Sequence, residues 1–575
     1  MNNIWHAAVR FLSAPVRRIP GLALTLAIFL TSGCASIPTT GPDYLSRNDA
    51  IEAAHFDVNI TTHDGKLLRA TVFQPALKPG QSAPLIIHAH GFGVFRMSGP
   101  VSVYSMAVYS GQAAKSAWEQ GYWVISYDQR GHGDSEGINH LMDAEHEVRD
   151  VSTVLDWAQA NLKRISADGN GDPLVGMIGE SYGGGAMLLA SAQDSRIDAM
   201  VPITTWHNIA YSLAPNEVPK SGWLTTLLLV NNILNPGNSD PFINEAYWKA
   251  RDGQMEPATV KRLLDRSVSA RCAQGKVTHA DTLLIQGFRD VAFPVNEAVA
   301  NMECLRSNGS DVRLIAPQGG HLLPFTQWSR IPGYYIEPEA HCGDQVLNLV
   351  DTAVNWFDAK LRQQPEKAAA IPAICLTQSE DRGIVVDRVT RGGHRINVDV
   401  TRIDSGFTGF FEMPLWPLER MAGLLMPARR HPENVLGTTG SGVLRPAFTP
   451  LYIARSDQDL VGIPTFEGVL SAPEDETDPM VFVGVAVKRA NGRYYELVSD
   501  QVTPLRGTGH HQTDLMAIST RLEQGDIVGL WLFGYHNQYR FSHTGWFMEA
   551  AIEGTIALPL LGPQPTASQL TAEKL

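Results

Sequence analysis

The chain has 575 residues, of which 44% are hydrophobic and 18% are charged, and its formal net charge is −13. Because single hydrophobic cores stop growing near ~250 to 300 residues, this length predicts at least two domains. The negative charge argues against a nucleic-acid partner, since binding to phosphates relies on clustered Lys and Arg.

The N-terminus has the order of a secretory signal. Three arginines precede an apolar stretch over residues 19–30, which is shorter than the ~20 apolar residues that a membrane span needs. Residues 30–34 resemble a bacterial lipoprotein cleavage site, at which Cys34 is lipidated. Ala35 then favours the outer membrane, so we expect an exported protein that is lipid-anchored on the periplasmic face of the envelope. An ordinary cleaved signal with an incidental cysteine is the alternative.

Four further cysteines fit an oxidising compartment, in which they are free to pair. They are Cys272, Cys304, Cys342 and Cys375. Four cysteines allow three pairings, among which the sequence does not choose, and buried reduced cysteines are the alternative. The spacing includes no CxxC pair, so it does not favour a zinc site.

Residues 50–366 alternate apolar runs with helical patterns, as in a parallel sheet with crossover helices. The predicted strands cover residues 84–90, 122–127, 174–179, 199–204, 281–287 and 312–316. Helical patterns occur at 145–162 and 346–361. From about 207 to 276 no clear strand pattern occurs, which predicts a helical cap over the active site; a helical layer without a gating role is the alternative.

Beyond residue 366 the apolar pattern changes to a period of two. Alternating valines at 481, 483, 485 and 487 are followed by Asn491 and Gly492, a strong hairpin signal. This part predicts an all-β sandwich, a jelly roll. The expected division is signal peptide 1–33, linker 34–49, α/β domain 50–366, β domain 367–562 and tail 563–575.

A Gly-x-Ser-x-Gly segment at residues 179–183 follows a predicted strand and precedes a helical run. This context is typical of the nucleophile elbow of α/β-hydrolases, a turn too sharp to admit a Cβ at Gly179 or Gly183. It predicts Ser181 as the nucleophile, presented at the carboxyl edge of the sheet.

A serine hydroxyl needs a base to take its proton and an acid to orient that base. In α/β-hydrolases the acid and then the histidine follow the serine along the chain. Asp290 and His321 each stand on a short loop directly after a predicted strand, at the same sheet edge as Ser181. They are therefore the predicted acid and base, and no metal or cofactor is expected.

Other titratable residues fit these roles less well. Asp281 and Asp311 flank the starts of strands, at the opposite edge of the sheet, and His341 stands near the start of the last helix, where capping explains it. His88 and His90 share one face of a strand, but no further ligand completes a metal site.

Acyl transfer also develops an oxyanion, and the loss of one donor to it typically costs about 10² to 10³ in rate. The backbone N–H of Tyr182, directly after the nucleophile, is the first expected donor. The second is expected from the loop after the early strand, where the N–H of Phe92 is flanked by glycines.

Residues 127–137 and 179–184 together resemble the Xaa-Pro dipeptidyl-peptidase and cocaine-esterase group of α/β-hydrolases. The resemblance covers nearly the whole mature chain, including the helical insertion and the jelly roll. It implies a triad at Ser181, Asp290 and His321. It also implies hydrolysis of an ester or amide bond, because members of the group include dipeptidyl-peptidases, ester hydrolases and acylases.

The acyl substrate, a small molecule or a peptide, is not defined by these residues. Members of the group often use a Tyr hydroxyl as the second oxyanion donor, whereas Phe92 stands here. An aminopeptidase needs a carboxylate to hold the substrate ammonium. Glu180, Glu217 and Asp240 could supply it, although each is equally well a surface or capping residue. The alternative to an enzyme is a non-catalytic, surface-anchored binding lipoprotein on a hydrolase scaffold.

Overall fold

The computed structural model describes residues 49–251, 253, 255–321, 339–379, 381–404, 447–492, 495–539 and 549–562. The predicted signal peptide, Cys34 and the predicted tail lie outside these residues. Within the described ranges, no helix combines the length and the apolar character that crossing a membrane requires.

The hydrolase domain is built on one ten-stranded sheet. The strands up to residue 385 are β1 (Ala54–Thr61), β2 (Leu67–Gln74), β3 (Leu85–Ala89), β4 (Trp123–Tyr127), β5 (Val175–Glu180), β6 (Ile197–Ile203), β7 (Asp281–Ile285), β8 (Val312–Ala316), β9 (Glu339–Cys342), β10 (Gln345–Asn348), β11 (Ile374–Ser379) and β12 (Arg382–Val385). The order in the sheet is β1-β2-β4-β3-β5-β6-β7-β8-β11-β12, and β9 and β10 form a separate hairpin. Strands β3 to β8 and β11 pair in parallel, and their central members are wholly buried, as their continuous apolar runs require.

The helices lie on both faces of this sheet and above its carboxyl edge. They are α1 (Val103–Ala107), α2 (Tyr109–Glu119), α3 (Glu147–Asn161), α4 (Tyr182–Ala190), α5 (Ile209–Leu213), α6 (Ser221–Leu234), α7 (Pro241–Arg251), α8 (Pro257–Leu264), α9 (Val268–Ala273), α10 (Val295–Arg306), α11 (Leu349–Leu361) and α12 (Pro365–Ala369). Helices α3, α4 and α10 pack on one face, and α2 and α11 pack on the other. The predicted cap segment contains α5 to α9.

Three elements differ from the sequence-based prediction. The β1–β2 hairpin was not predicted, although Asp64 and Gly65 mark its turn and Gly65 has a φ of +79°. The helix predicted over 346–361, α11, begins at Leu349, because Asn348 caps it by accepting from the Asp351 N–H. His341 consequently lies in β9, not at a helix start.

The hydrolase sheet also continues past residue 366, where the β domain was expected to begin. Strand β11 pairs in parallel with β8, and β12 pairs with β11. The crossing into the β domain therefore comes after Val385 in the structure.

The β domain consists of antiparallel sheets, in agreement with the predicted all-β fold. Its strands are β13 (His394–Asp404), β14 (Ala447–Ile453), β15 (Gln458–Gly462), β16 (Thr465–Ser471), β17 (Met480–Lys488), β18 (Tyr495–Leu497), β19 (Thr503–Arg506), β20 (Gly509–Asp514), β21 (Ile518–Leu522), β22 (Ile527–Phe533), β23 (Glu549–Leu558) and β24 (Leu560–Leu561). One sheet is β13-β23-β16-β20, a second is β14-β22-β17-β18 with β19 on β17, and a third is β21-β15-β24. The alternating valines of β17 point into the shared core, and the other face of β17 packs against Val218 of the cap segment.

All four cysteines outside the signal segment are paired in disulfides. Cys272 of α9 is bonded to Cys304 of α10, and Cys342 of β9 is bonded to Cys375 of β11. The Cα–Cα distances, 6.2 and 5.3 Å, lie within the range that disulfides adopt. The structure therefore selects one of the three pairings that the sequence left open.

Candidate active site

Ser181 stands on the sharp turn between β5 and α4, at the carboxyl edge of the sheet. Its φ of 53° is strained for a residue with a side chain, as expected of a nucleophile elbow. A Cβ at Gly179 or Gly183 would collide with the carbonyl oxygen of Ala89. The predicted steric need for both glycines is thus confirmed.

The structure brings Ser181, His321 and Asp290 together in one hydrogen-bonded chain. Ser181 Oγ lies 3.0 Å from His321 Nε2, and His321 Nδ1 lies 2.9 Å from Asp290 Oδ2. The side chain of Asp290 is fully buried and that of His321 is 4% exposed. The ring of His321 packs edge-on against Phe293 and Trp223, which orients it further. This is the geometry in which a serine hydroxyl can pass its proton to an imidazole that a carboxylate orients.

Backbone and amide donors hold the Asp290 carboxylate in place. Its Oδ1 accepts from the N–H groups of Ala292 at 2.9 Å and Phe293 at 2.8 Å. Its Oδ2 accepts from Gln286 Nε2 at 2.8 Å, in addition to His321. A fully buried carboxylate requires such donors, because burial without partners carries a large free-energy cost.

Two distant side chains hold the loop that carries Asp290. Gln501 of the β domain donates to the carbonyl oxygens of Phe288 at 2.8 Å and Asp290 at 3.0 Å. Lys220, the residue before α6, donates to the carbonyl oxygens of Val291 and Ala292, which directly follow Asp290. Burial lowers the pKa of Lys220 to about 8, while the negative charge of Asp290 opposes the shift. Neither support was predicted, because neither Gln501 nor Lys220 stands in a recognisable motif.

The loop after β3, which carries Phe92, is held in place by hydrogen bonding to Glu180. The N–H of Gly91 donates to Glu180 Oε1 at 3.1 Å and to the Tyr104 hydroxyl at 2.9 Å. The hydroxyls of Tyr104 and Ser110 in turn donate to the same carboxylate. Burial raises the pKa of Glu180 to about 8. Glu180 therefore supports the loop and does not face the substrate.

Phe92 and Tyr182, the two predicted oxyanion donors, both line the cavity at Ser181. Their rings meet edge to face, with centroids 5.6 Å apart, and the ring of His132 packs against both. Their backbone donor roles stay predictions.

The segment 127–137, on which the resemblance rests, has a structural role beside this site. Asp128 accepts from the N–H groups of Arg96 at 2.6 Å and Asp134 at 2.9 Å, and it is also paired with the Arg96 guanidinium. Gly133 has a φ of +51°, and a Cβ there would collide with the Asp128 carboxylate. The motif thus builds the turn from which His132 reaches Phe92.

A cavity of about 100 Å³ opens on Ser181 beneath the cap. Its lining is mostly aliphatic and aromatic and comprises Phe92, Leu141, Ser181, Tyr182, Trp206, Ile209, Leu213, Leu224, Leu227, Leu228, Phe242, Ile243, Ala246, Tyr247, Ala250, Met255, Thr259, Leu263 and Phe293. Among the described residues, no charged side chain lines this cavity.

None of the three carboxylates considered for holding a substrate ammonium reaches the cavity. Glu180 lies buried behind the Phe92 loop, and Glu217 is exposed to solvent. Asp240 is paired with His140 at 3.2 Å and with Arg262 at 2.6 Å.

The two strand histidines are structural. His88 bonds Ser126 and Ser110, and His90 bonds the Gly91 carbonyl and the N–H of Gln129. Burial lowers the pKa of His90 to about 4 and that of His88 to about 3, so both rings are neutral near pH 7. Across the described ranges, no group of three His, Cys, Asp or Glu side chains is arranged to hold a metal ion.

Comparison with known proteins identifies a family model and solved structures that this chain resembles. Residues 64–323 match the family model described as X-Pro dipeptidyl-peptidase (S15 family). A CocE/NonD family hydrolase from Staphylococcus aureus has a TM-score of 0.61 at 12% identity, over 92% of this chain and 100% of that one. An α-amino acid ester hydrolase has a TM-score of 0.57 at 15% identity, over the same shares of the two chains, 92% and 100%. The predicted fold class is thereby confirmed.

Curated relatives match a shorter stretch. An uncharacterised 31.7 kDa protein of the traX-finO intergenic region of Escherichia coli is 29% identical over 147 residues, which are 25% of this chain and 46% of that protein. The quorum-quenching protein AidA of Acinetobacter baumannii (strain MDR-ZJ06) is 26% identical over 169 residues, 29% of this chain and 49% of that protein. The chain thus spans about half the length of these relatives. The predicted resemblance is confirmed by the match of residues 64–323 to the X-Pro dipeptidyl-peptidase (S15 family) model.

Proposed function

We propose that the protein cleaves its ester or amide substrate through an acyl-enzyme formed on Ser181, with His321 as general base and Asp290 as its partner. The observation that carries the proposal is the continuous hydrogen-bonded chain of these three side chains, at 3.0 and 2.9 Å. The strained elbow and the match to a hydrolase family support it. Nothing in the comparisons supports the alternative of a non-catalytic binding protein.

In the first step, Ser181 Oγ attacks the substrate carbonyl carbon and its proton passes to His321 Nε2. The N–H groups of Tyr182 and Phe92 stabilise the oxyanion that develops. His321 then gives its proton to the departing alcohol or amine as the carbonyl–heteroatom bond breaks. Water repeats the sequence on the acyl-enzyme, releases the acid and restores the serine hydroxyl. Asp290 stabilises the imidazolium in both steps without taking its proton.

A fluorophosphonate probe tests this assignment, since it reacts with an activated serine. We expect covalent labelling and ester turnover in the wild-type chain and neither in Ser181→Ala. His321→Ala is expected to lose labelling as well, because it removes the base. A matched control is Ser191→Ala, which changes a buried serine at the end of α4 away from the cavity. Labelling that persists in Ser181→Ala would refute the proposal.

We further propose that the chain is exported and anchored to the outer membrane through lipidation of Cys34. The signal pattern supports this, and the two disulfides fit an oxidising compartment. Growth with a fatty-acid probe is expected to label the wild-type protein and not Cys34→Ser. Equal labelling of the two chains contradicts the proposal.

A further inference from the structure

We infer that the site takes esters of short, uncharged, apolar acyl groups and disfavours acyl groups that carry a free α-amino group. This inference rests on the proposed function, since it names the substrate class for the same nucleophile. It is carried by the composition and size of the cavity that opens on Ser181.

Three helices of the cap segment supply an apolar wall to the cavity that opens on Ser181. Helix α6 contributes Leu224, Leu227 and Leu228, α7 contributes Phe242, Ile243 and Ala246, and α8 contributes Leu263. Trp206 and Phe293, whose ring centroids lie 5.5 Å apart, also line the cavity. An acyl chain bonded to Ser181 Oγ would lie against these side chains and leave water.

A substrate ammonium would find no partner in this wall. The described lining holds no carboxylate, and its polar side chains are hydroxyls such as those of Thr259 and Tyr247. The Tyr247 hydroxyl is already bonded to Thr225 at 3.0 Å. A buried charge without a partner carries a cost well above that of a neutral group, so a free amine beside the reacting carbonyl opposes binding.

The volume limits the length of the acyl group. At about 100 Å³ the cavity is smaller than an engineered apolar cavity of ~150 Å³ that accepts benzene, so it holds a few methylenes. While methylenes enter the cavity, each is expected to raise kcat/KM about fourfold, the ratio that corresponds to burying one CH₂. Once the cavity is full, the gain is expected to stop.

The test is a series of p-nitrophenyl esters from acetate to dodecanoate, together with the 2-aminobutanoate ester, each rate divided by its uncatalysed rate. We expect kcat/KM to climb about fourfold per methylene up to a short chain and to rise no further with longer chains. We expect the 2-aminobutanoate ester to be turned over at least ~10-fold more slowly than the butanoate ester, because the described lining of the cavity offers its ammonium no carboxylate.

Ala246→Leu provides the matched structural test, because it adds bulk inside the cavity from α7. It is expected to move the preferred chain length down. Glu245→Leu, on the exposed side of the same helix, adds a leucine outside the cavity and is expected to leave the preference unchanged.

The outcomes separate the two proposals. A flat chain-length profile, faster turnover of the 2-aminobutanoate ester, or an unchanged preference in Ala246→Leu would overturn the substrate inference while Ser181 still reacts with the fluorophosphonate. Absence of both labelling and ester turnover would overturn the proposed function and the inference with it.

Discussion

Replacing Gln501 by alanine tests whether the β domain positions the loop that carries Asp290. The Gln501 side chain donates at 2.8 and 3.0 Å to the carbonyls of Phe288 and Asp290, and the residue is only 3% exposed. Arg289 of the same loop is also paired with Asp500 at 2.9 Å. The alanine variant removes the two hydrogen bonds that the Gln501 amide donates and leaves the Arg289–Asp500 ion pair in place.

The expected losses of stability and rate follow from the two backbone carbonyls that lose Gln501 as their hydrogen-bond donor. Two buried carbonyls lose a donor at about 1 to 3 kcal/mol each, so the free energy of unfolding is expected to fall by about 2 to 4 kcal/mol, with water offsetting part of the loss. A displacement of Asp290 by about 1 Å is worth about 10²-fold in rate. We therefore expect kcat to fall by about 10- to 100-fold. KM is expected to change little, because Gln501 does not line the cavity.

Ester kinetics and thermal unfolding of Gln501→Ala are compared with those of Gln378→Ala. Gln378 is also buried and also joins the two domains, through Asp459 at 2.8 Å and the Thr520 carbonyl at 3.5 Å. Within the described part of the chain, Gln378 makes no hydrogen bond to the Asp290 loop, so its variant is expected to lose stability but keep kcat. Equal losses of kcat in both variants, or full kcat in Gln501→Ala, would refute the positioning role.

Three further predictions concern stability. Burial raises the pKa of Glu180 from 4.5 to about 8, so the contribution of this residue to stability falls as the pH rises through that range. The Tm of Glu180→Gln is therefore expected to rise relative to that of the wild type between pH 5 and pH 8. A Tm difference that stays constant with pH contradicts this. Gly183→Ala is expected to yield little folded protein, because its Cβ meets the Ala89 carbonyl, and wild-type yield and circular dichroism would argue against the clash. Replacing Cys272 and Cys304 by serine removes a crosslink with a sequence separation of 32 and is expected to lower the free energy of unfolding by about 3 to 4 kcal/mol, as measured by chemical denaturation. An unchanged denaturation midpoint refutes this.

Local signals in the sequence were sufficient to predict the parallel strands β3 to β8 and the turn that presents Ser181. Apolar runs identify buried parallel strands, and the steric demands of the turn leave a recognisable pair of glycines. Asp290 and His321 could be selected because residues that follow parallel strands meet at one sheet edge. In the structure His321 lies within hydrogen-bond distance of both Ser181 and Asp290.

The supports of the site could not be predicted in the same way. Gln501 is separated from Asp290 by 211 residues, and no pattern in one sequence encodes a contact across that distance. The role of Glu180 was also beyond reach, because a glutamate beside the nucleophile is compatible with facing the substrate or facing inward. Only the packing of Tyr104 and Ser110 behind the Phe92 loop decides between these orientations.

The late strands β11 and β12 have a consequence for how the two domains can be exchanged. A chain that ended at residue 366 would leave β8 as an unpaired, apolar sheet edge, which is a template for aggregation. It would also leave Cys342 without Cys375. A fusion or truncation that separates the domains must therefore be made after Val385, so that the hydrolase half keeps β11 and β12 beside β8 and keeps its crosslink.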